Sequence, residues 1–394
     1  MRFPGFTDEW NSTPLNQMVE RVTRKNKNEE SNIALTISAQ YGLVDQESFF
    51  NNKVASSDLS HYYLLYKGDY AYNKSYSSGY PWGAVKRLNM YEKGAVSTLY
   101  ICFRPLDTVD SDFIGHYFES SKWHKGVSEI AVEGARNHGL LNIGVKDFFN
   151  TVHFMPSLAE QKKIASLLSL IDERIATQNK IIEDLKKLKS AIIDKLLGRV
   201  QTAQSDRMVK LGEIGKFTRG LTYSAEDIVE DGGLVVVRAN NLSNGEAVNF
   251  YNEIVRVDKP ISDSQLLKYG DMVICMANGS SALVGKASYY NETTDSIATI
   301  GAFCGIYRSD KKIVRWLLQT NKYKRVIHKS LQGGNGAIAN LTPNDILGLS
   351  FIIPMQEPSI VELLQGFDEK LDIEISLLHS LQKEKQYLLS QMFI

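Results

Sequence analysis

The stretch "LLSLIDERI", Leu167 to Ile175, returns 196 residues later as "LLQGFDEKL", Leu363 to Leu371. Around the first copy, apolar residues fall at Ile164, Leu168, Ile171, Ile175, Ile182, Leu185, Ile192 and Leu196, a 3/4 spacing that draws one stripe along a helix. Ile360, Leu364, Phe367, Leu371, Leu378, Leu381, Leu388 and Met392 repeat the stripe at the same offset. Pro156 precedes the first copy, Glu160 falls in its first turn, and Gly198 follows its basic last turn, all helix boundary signals. From Ala159 to Leu197 such a helix is roughly 60 Å long.

Helices of this length with one apolar stripe need a partner for it, and each copy is the obvious partner of the other. The alternative is two independent helices, each packed on its own domain. Polar interruptions recur with the repeat, Gln178 matching Glu374 and Lys189 matching Lys385. An antiparallel pairing about a twofold then predicts Ile182 against Leu381, Leu185 against Leu378, and Lys189 opposite Glu374. Ile171, Ile175, Ile192, Leu371 and Leu388 complete the expected seam. Residues 156–200 carry nine basic and six acidic side chains, and 354–394 three and seven, so opposite net charges favour pairing weakly.

The repeat reaches beyond the helices. "LLNIGVKDFFNTVHFMP" (Leu140 to Pro156) aligns with "IANLTPNDILGLSFIIP" (Ile338 to Pro354), and "LLYKGDYAY" (Leu64 to Tyr72) resembles "LLKYGDMVI" (Leu266 to Ile274). The expected organisation is a module at 1–155, a helix at 156–200, a module at 201–353 and a helix at 354–394. "LVVVRANNLSNG", "DMVICMANG" and "AFCGIYRS" read as short buried strands ending in polar turns, and Ile313 to Ile327 as a helix with a basic far side. The fold class is α+β: two mixed modules separated by two long antiparallel helices.

At 394 residues, 43% apolar and 23% charged, the chain reads as soluble and multidomain. No signal peptide or membrane-spanning run is evident, so a cytoplasmic location is expected. Cys102, Cys275 and Cys304 are widely spaced and read as buried thiols, with no metal site expected. Catalytic machinery is not visible: there is no P-loop, no G-x-G-x-x-G, no H-E-x-x-H, and no Asn-Pro-Pro or Asp-Pro-Pro tetrapeptide. The formal net charge is zero, so any basic surface must be local.

What the modules do contain is loops mixing Lys, Arg, Asn, Gln, Ser and Gly with aromatics. "YNKSYSSGYPWGAVKRL" offers Lys74, Tyr76, Tyr80, Trp82, Lys86 and Arg87, with cations for phosphates and base edges and rings for stacking; Trp82 is equally suited to filling a core edge. The corresponding "MANGSSALVGKA" offers Asn278, Ser280 and Lys286. "VVVRANNLS" presents Arg238, Asn240 and Asn241 at a strand end, where Arg suits guanine and Asn suits adenine, although Asn is also ordinary turn chemistry. "EGARNHG" and "LQGGNGAI", just before the repeated segments, offer Arg136, His138, Gln332 and Asn335 among glycines that suit close approach to phosphates or, equally, tight turns. Arg219 and Tyr223 complete the DNA-contact candidates.

The pattern resembles the DNA-specificity subunits of type I restriction and modification systems. "MPSLAEQKKIASLLSLIDERIATQNKIIEDLKKLKSAIIDKLL", its divergent copy "IPMQEPSIVELLQGFDEKLDIEISLLHSLQKEKQYLLSQMF" and "RMVKLGEIGKFTRG" carry the resemblance, which covers essentially the whole chain. It implies two target-recognition domains, each reading one half of a bipartite site in double-stranded DNA, with a coiled coil setting their spacing. It also implies docking of two methyltransferase subunits and of restriction/translocase subunits. S-adenosylmethionine, ATP and Mg²⁺ would belong to those partners, leaving this chain no cofactor and no catalytic residue. The rival is a non-catalytic scaffold whose modules bind proteins. The second copy departs from the family's pattern: "PMQEPSIVELL" lacks the Glu-Gln pair and has two residues fewer between Pro354 and Ile360 than between Pro156 and Ile164.

Overall fold

The repeated stripe forms two helices, Leu158–Leu197 of 40 residues and Glu357–Met392 of 36. The computed structural model describes residues 1–394 apart from 51–57, 77–78, 132–140, 199–206, 251–252, 292–296 and 332–338. The chain divides into two compact units, Met1–Asn179 with Ser376–Ile394, and Lys180–Ile375. Each long helix is thus shared between units, rather than standing apart from the modules.

Both units are mixed α+β and follow one plan. The first holds an antiparallel sheet in the order Val19–Arg21, Ile101–Pro105, Tyr70–Asn73, Ala84–Arg87. Its other four-stranded sheet runs Gly42–Asp45, Ala34–Ser38, Lys93–Val96, Tyr63–Tyr66, with the middle pairing parallel. The second unit repeats the first of these as Lys216–Arg219, Cys304–Arg308, Met272–Cys275, Ala287–Tyr289, while its other sheet runs Ile228–Val229, Val255–Val257, Leu234–Val237, Ala298–Ile300, with the parallel pairing at the edge and the fourth strand added on the opposite side. A two-stranded ribbon leads into each long helix: Asn11–Pro14 with Val152–Met155, and Arg207–Lys210 with Ser350–Ile353. The three strands read from the second module's apolar runs are all present. The helix expected from Ile313 to Ile327 is instead two pieces, Val314–Leu317 and Asn321–Leu331. Thr320 breaks it by donating to the Leu317 carbonyl at 2.7 Å and accepting from the Tyr323 amide at 3.2 Å, so that it caps the second piece.

The repeated Gly-Asp turn has a structural reason. Gly68 and Gly270 take φ of +92° and +89°, the left-handed conformation that glycine adopts without steric cost. The aspartates that follow are buried acceptors. Asp69 takes the Tyr66 amide at 2.8 Å and pairs with Arg24 and, at 3.1 Å, Arg104. Asp271 takes the Lys268 amide at 2.7 Å and both Nε and Nη2 of Arg308. Each carboxylate ties the turn to a neighbouring strand or loop of its unit by charge-assisted bonds.

In the first unit Ile164, Ala165, Leu168 and Ile171 share a core with Leu388, Leu389, Met392 and Phe393, and with Phe113, Tyr117 and Trp123. In the second, Ile193 and Leu197 share one with Val361, Leu364, Trp316 and Leu317. The beginning of one helix lies against the end of the other in each, so they run antiparallel there. Of the expected seam, Ile171, Ile182, Lys189, Leu371, Glu374, Leu381 and Leu388 are buried and Ile175, Leu185, Ile192 and Leu378 half-buried.

The register differs from the expectation. Lys189 pairs with Asp368, not Glu374, and in the first unit Lys385 pairs with Asp172 at 2.6 Å. Both lysines and both aspartates are equivalent positions of the repeat, 196 residues apart. Glu374 instead takes Lys370, four residues away on its own helix. The interrupted stripe identifies which face carries polar groups, but sliding along that face keeps apolar residues in contact, so the spacing alone leaves the register open.

Two outcomes follow. Asp368→Asn leaves Lys189 and Arg315 without their carboxylate in a largely buried setting, and should lower the stability of the second unit by about 3 kcal/mol or more in denaturant unfolding. Glu183→Gln, which removes an exposed pair with Lys187, should leave the midpoint unchanged. His153, enclosed by the Tyr117 hydroxyl and Thr151 Oγ1 at 2.8 Å each, is pushed by burial down to about 4. The unfolded chain therefore takes up this proton near pH 6.5 and the folded chain only near pH 4. The stability it contributes is complete above about pH 6.5 and is lost toward pH 4, by up to about 3 kcal/mol. Thermal midpoints should fall over that window, and less steeply in His153→Gln; equal slopes for both chains would contradict the assignment.

Candidate nucleic-acid interface

In the first unit the candidate loop leaves the strand Tyr70–Asn73 and returns in Ala84–Arg87. Most of its side chains turn inward. Lys74 Nζ donates to the Ile143 carbonyl at 3.3 Å, and the Tyr80 hydroxyl to that of Ala39 at 3.1 Å. Trp82 is half-buried against the core and its carbonyl accepts from the Tyr72 hydroxyl at 2.7 Å, so it fills a core edge. Lys86 lies 3.8 Å from Glu119, and Arg87 bonds Asp112 at 2.6 Å and Ser111 Oγ at 3.1 Å. These last two tie the sheet to the helix Ser111–Glu119, so neither stands as an open cation. Tyr76, 61% exposed, is the open aromatic of the set.

In the second unit Arg238 and Asn240 come together around Glu253. Arg238 Nη2 donates to the Glu253 carbonyl and the Asn240 amide to its carboxylate, both at 2.7 Å. Asn241 is different. It is 3% exposed, its Oδ1 accepts from the Arg238 amide at 2.9 Å, and its Nδ2 donates to the Asn249 carbonyl at 3.1 Å. Both ends of its amide are used and the side chain is buried, so it caps a turn. Asn278 Oδ1 accepts from the Ser280 amide at 3.0 Å, leaving the Ser280 side chain exposed. Arg219 is exposed at a strand end, and Tyr223 packs half-buried on Leu221, Val236 and Val257. Lys286 edges a groove described below. Arg136, His138, Gln332 and Asn335 lie outside the described residues.

Two features escaped the sequence reading. Glu160 and Gln161, the Glu-Gln pair of the first helix, are buried. Glu160 receives Arg2 through two bonds of 2.9 and 2.7 Å, while Gln161 accepts from the Asp110 amide and donates to the Pro156 carbonyl. Long-range partners of this kind leave no trace in spacing. The other is a titratable cluster of His116, Glu119, Asp172 and Lys385. Ligand atoms of the first three lie within 4.8 Å of one another. A divalent ion would suit such a set, but Lys385 Nζ stands 2.6 Å from Asp172 and 2.7 Å from Glu119, where the ion would be. Burial works against the Lys385 charge, yet Glu119 and Asp172 hold its pKa above the ordinary value. Burial likewise opposes the charge on Glu119, and Lys385 and Lys86 override it to hold that carboxyl low. Burial lowers His116.

Asn241→Ala should therefore act on folding: a loss of about 1 to 2 kcal/mol in the second unit, for a removed cap and two newly unsatisfied groups. Asn240→Ala, exposed, should leave stability unchanged. Equal midpoints for the two variants in a thermal melt would contradict the distinction.

No family model matches the chain. It is 31% identical over 164 residues to the EcoKI specificity subunit, of a type I restriction enzyme of Escherichia coli strain K12, an alignment covering 39% of this chain and 32% of that one. Against the MjaVIII specificity subunit of Methanocaldococcus jannaschii, also of a type I restriction enzyme, identity is 24% over 324 residues, with 76% and 73% covered. The chain thus spans about a third of the length of the first relative and nearly three quarters of the second. Among solved structures, the S subunit of a type I restriction-modification system from M. genitalium covers all of this chain with a TM-score of 0.55 at 17% identity. A chain from a study of complex assembly and conformational transition in the type I R-M system covers 98% with a TM-score of 0.56 at 16% identity. Those two share its fold. The repeated modules, the paired long helices and these sequence likenesses agree: the chain is similar to the specificity subunits of type I restriction enzymes in sequence and shares its fold with solved ones.

Proposed function

We propose that this chain is the non-catalytic DNA-recognition subunit of a type I restriction-modification complex, each module reading one half of a bipartite, asymmetric site in double-stranded DNA. The observation that carries the reading is repetition with divergence. The two units share the strand order of one four-stranded sheet, yet the loops at equivalent places present different side chains, Tyr76 in one and Asn278 and Ser280 in the other. A duplicated frame with unlike tips suits two unlike half-sites. The long helices would set the spacing between them and receive two methyltransferase subunits, with restriction/translocase subunits joining the full complex. S-adenosylmethionine, ATP and Mg²⁺ then bind to the partners, and the complex works on DNA in the cytoplasm. Among the described residues no helix is long and apolar enough to cross a membrane.

Charge bears on affinity. The modules carry sixteen basic to seventeen acidic and seventeen to fifteen residues, so neither projects a strong field. Because phosphate neutralisation dominates affinity and its salt dependence, the isolated chain should bind its site weakly and lose it as salt rises.

Exchange of residues 1–155 for the corresponding module of another specificity subunit, in the presence of the modification subunit, should alter one half of the methylated site and leave the other unchanged. Methylation that stays the same after the exchange would overturn the proposal. Arg238→Ala should relax one base position at a cost of about 1 to 3 kcal/mol.

A further inference from the structure

The helix Asn321–Leu331 contains Lys322, Lys324, Arg325, His328 and Lys329 and no acidic residue. Tyr323 and Ile327 are buried beneath it, while Lys324, Arg325, His328 and Lys329 are exposed. Positions 321, 324, 325, 328 and 329 recur at three- and four-residue spacing, so they share one face, about 12 Å long. Lys324, Arg325 and Lys329 make no ion pair among the described residues.

This face continues onto a groove with Asn244, Ser281 and Lys286 on its other side. The groove is held in shape. The Tyr323 hydroxyl donates to the Gly285 carbonyl at 2.8 Å, and Gly285, at φ +83°, sits so close that a Cβ there would be 2.5 Å from Ile327. The loop bearing Lys286 is thereby fastened to the helix, and cations from both face outward with amide and hydroxyl donors between them. In the first unit the helix at the same place in the order of elements, His124–Ile130, carries Lys125 and Glu129, which cancel.

Resting on the proposed function, we propose that the cationic face of Asn321–Leu331, together with Lys286, contacts the phosphate backbone of double-stranded DNA, and that the second unit supplies most of the chain's sequence-independent affinity. Anionic oxygens spaced along a duplex match a row of unpaired cations, and each phosphate neutralised releases a counterion. Such contacts position the protein on the duplex and carry no base information.

The test is binding of the full chain to a duplex containing its site and to an unrelated duplex, across a range of salt. The triple variant Lys324→Gln, Arg325→Gln, Lys329→Gln should bind both duplexes at least about tenfold more weakly, with the slope of log K against log salt reduced by about 2 to 3. The charge-preserving Lys324→Arg, Lys329→Arg chain should retain parental binding, and Lys125→Gln in the first unit should change little. A triple variant that binds duplex with the parent's affinity and slope overturns the inference. So does one that binds duplex normally but fails to assemble with the modification subunit, since the face would then meet a protein. A parent that binds both duplexes equally well removes the functional reading alone. Loss of duplex binding in the triple variant would in that case still support the phosphate contacts.

Discussion

A lysine on one long helix meets an aspartate on the other, once in each compact unit, at equivalent positions of the repeat. A striped helix of this length can slide along its partner and bury apolar side chains in several registers. A buried charge cannot be indifferent to such a slide, because an unpaired ammonium or carboxylate costs several kcal/mol. The pair adds little net stability, but it makes most registers expensive, and in this way it sets where one module ends relative to its own helices. Asp172 and Asp368 belong to the repeated phrases "LIDERI" and "GFDEKL".

Around this shared pair the two units have drifted to opposite charge patterns. In the first, Lys385 stands between two carboxylates, Asp172 and Glu119, with Lys86 and His116 close by. In the second, Asp368 stands between two cations, Lys189 and Arg315, and also accepts from the Trp316 indole at 3.2 Å, while Arg315 lies 3.3 Å from the centre of the Tyr289 ring. Glu119 and Arg315 are again 196 residues apart. Inverting a third partner while keeping the central pair leaves the helix contact intact and changes the surface beside it. The same division recurs elsewhere: Asp69 and Asp271 pin equivalent Gly-Asp turns in the two units, while exposed side chains differ.

What was legible in the sequence was what repeats with a period. The 3/4 stripe placed both long helices to within a few residues, and the short apolar runs placed the second module's strands. Register was not legible, since Lys189 has more than one acidic candidate on the facing stripe and periodicity does not choose between Asp368 and Glu374. Nor could spacing distinguish an exposed amide from a cap: Asn240 and Asn241 are neighbours of the same type, and burial of Asn241 depends on Asn249, which folding brings alongside. Lys86 and Arg87 looked like surface cations because their acceptors, Glu119 and Asp112, lie on a helix that sequence alone does not lay against the strand. The break at Thr320 was hidden by apolar residues on both sides of it.

The proposed function requires one chain to hold two separate DNA addresses. The most direct measurement is the map of methylated bases in a genome expressing this chain with its modification subunit. The expected result is one motif of two short, unlike half-sites separated by an unread spacer of constant length, absent when this chain is omitted. A continuous motif, or methylation unchanged without this chain, would contradict it.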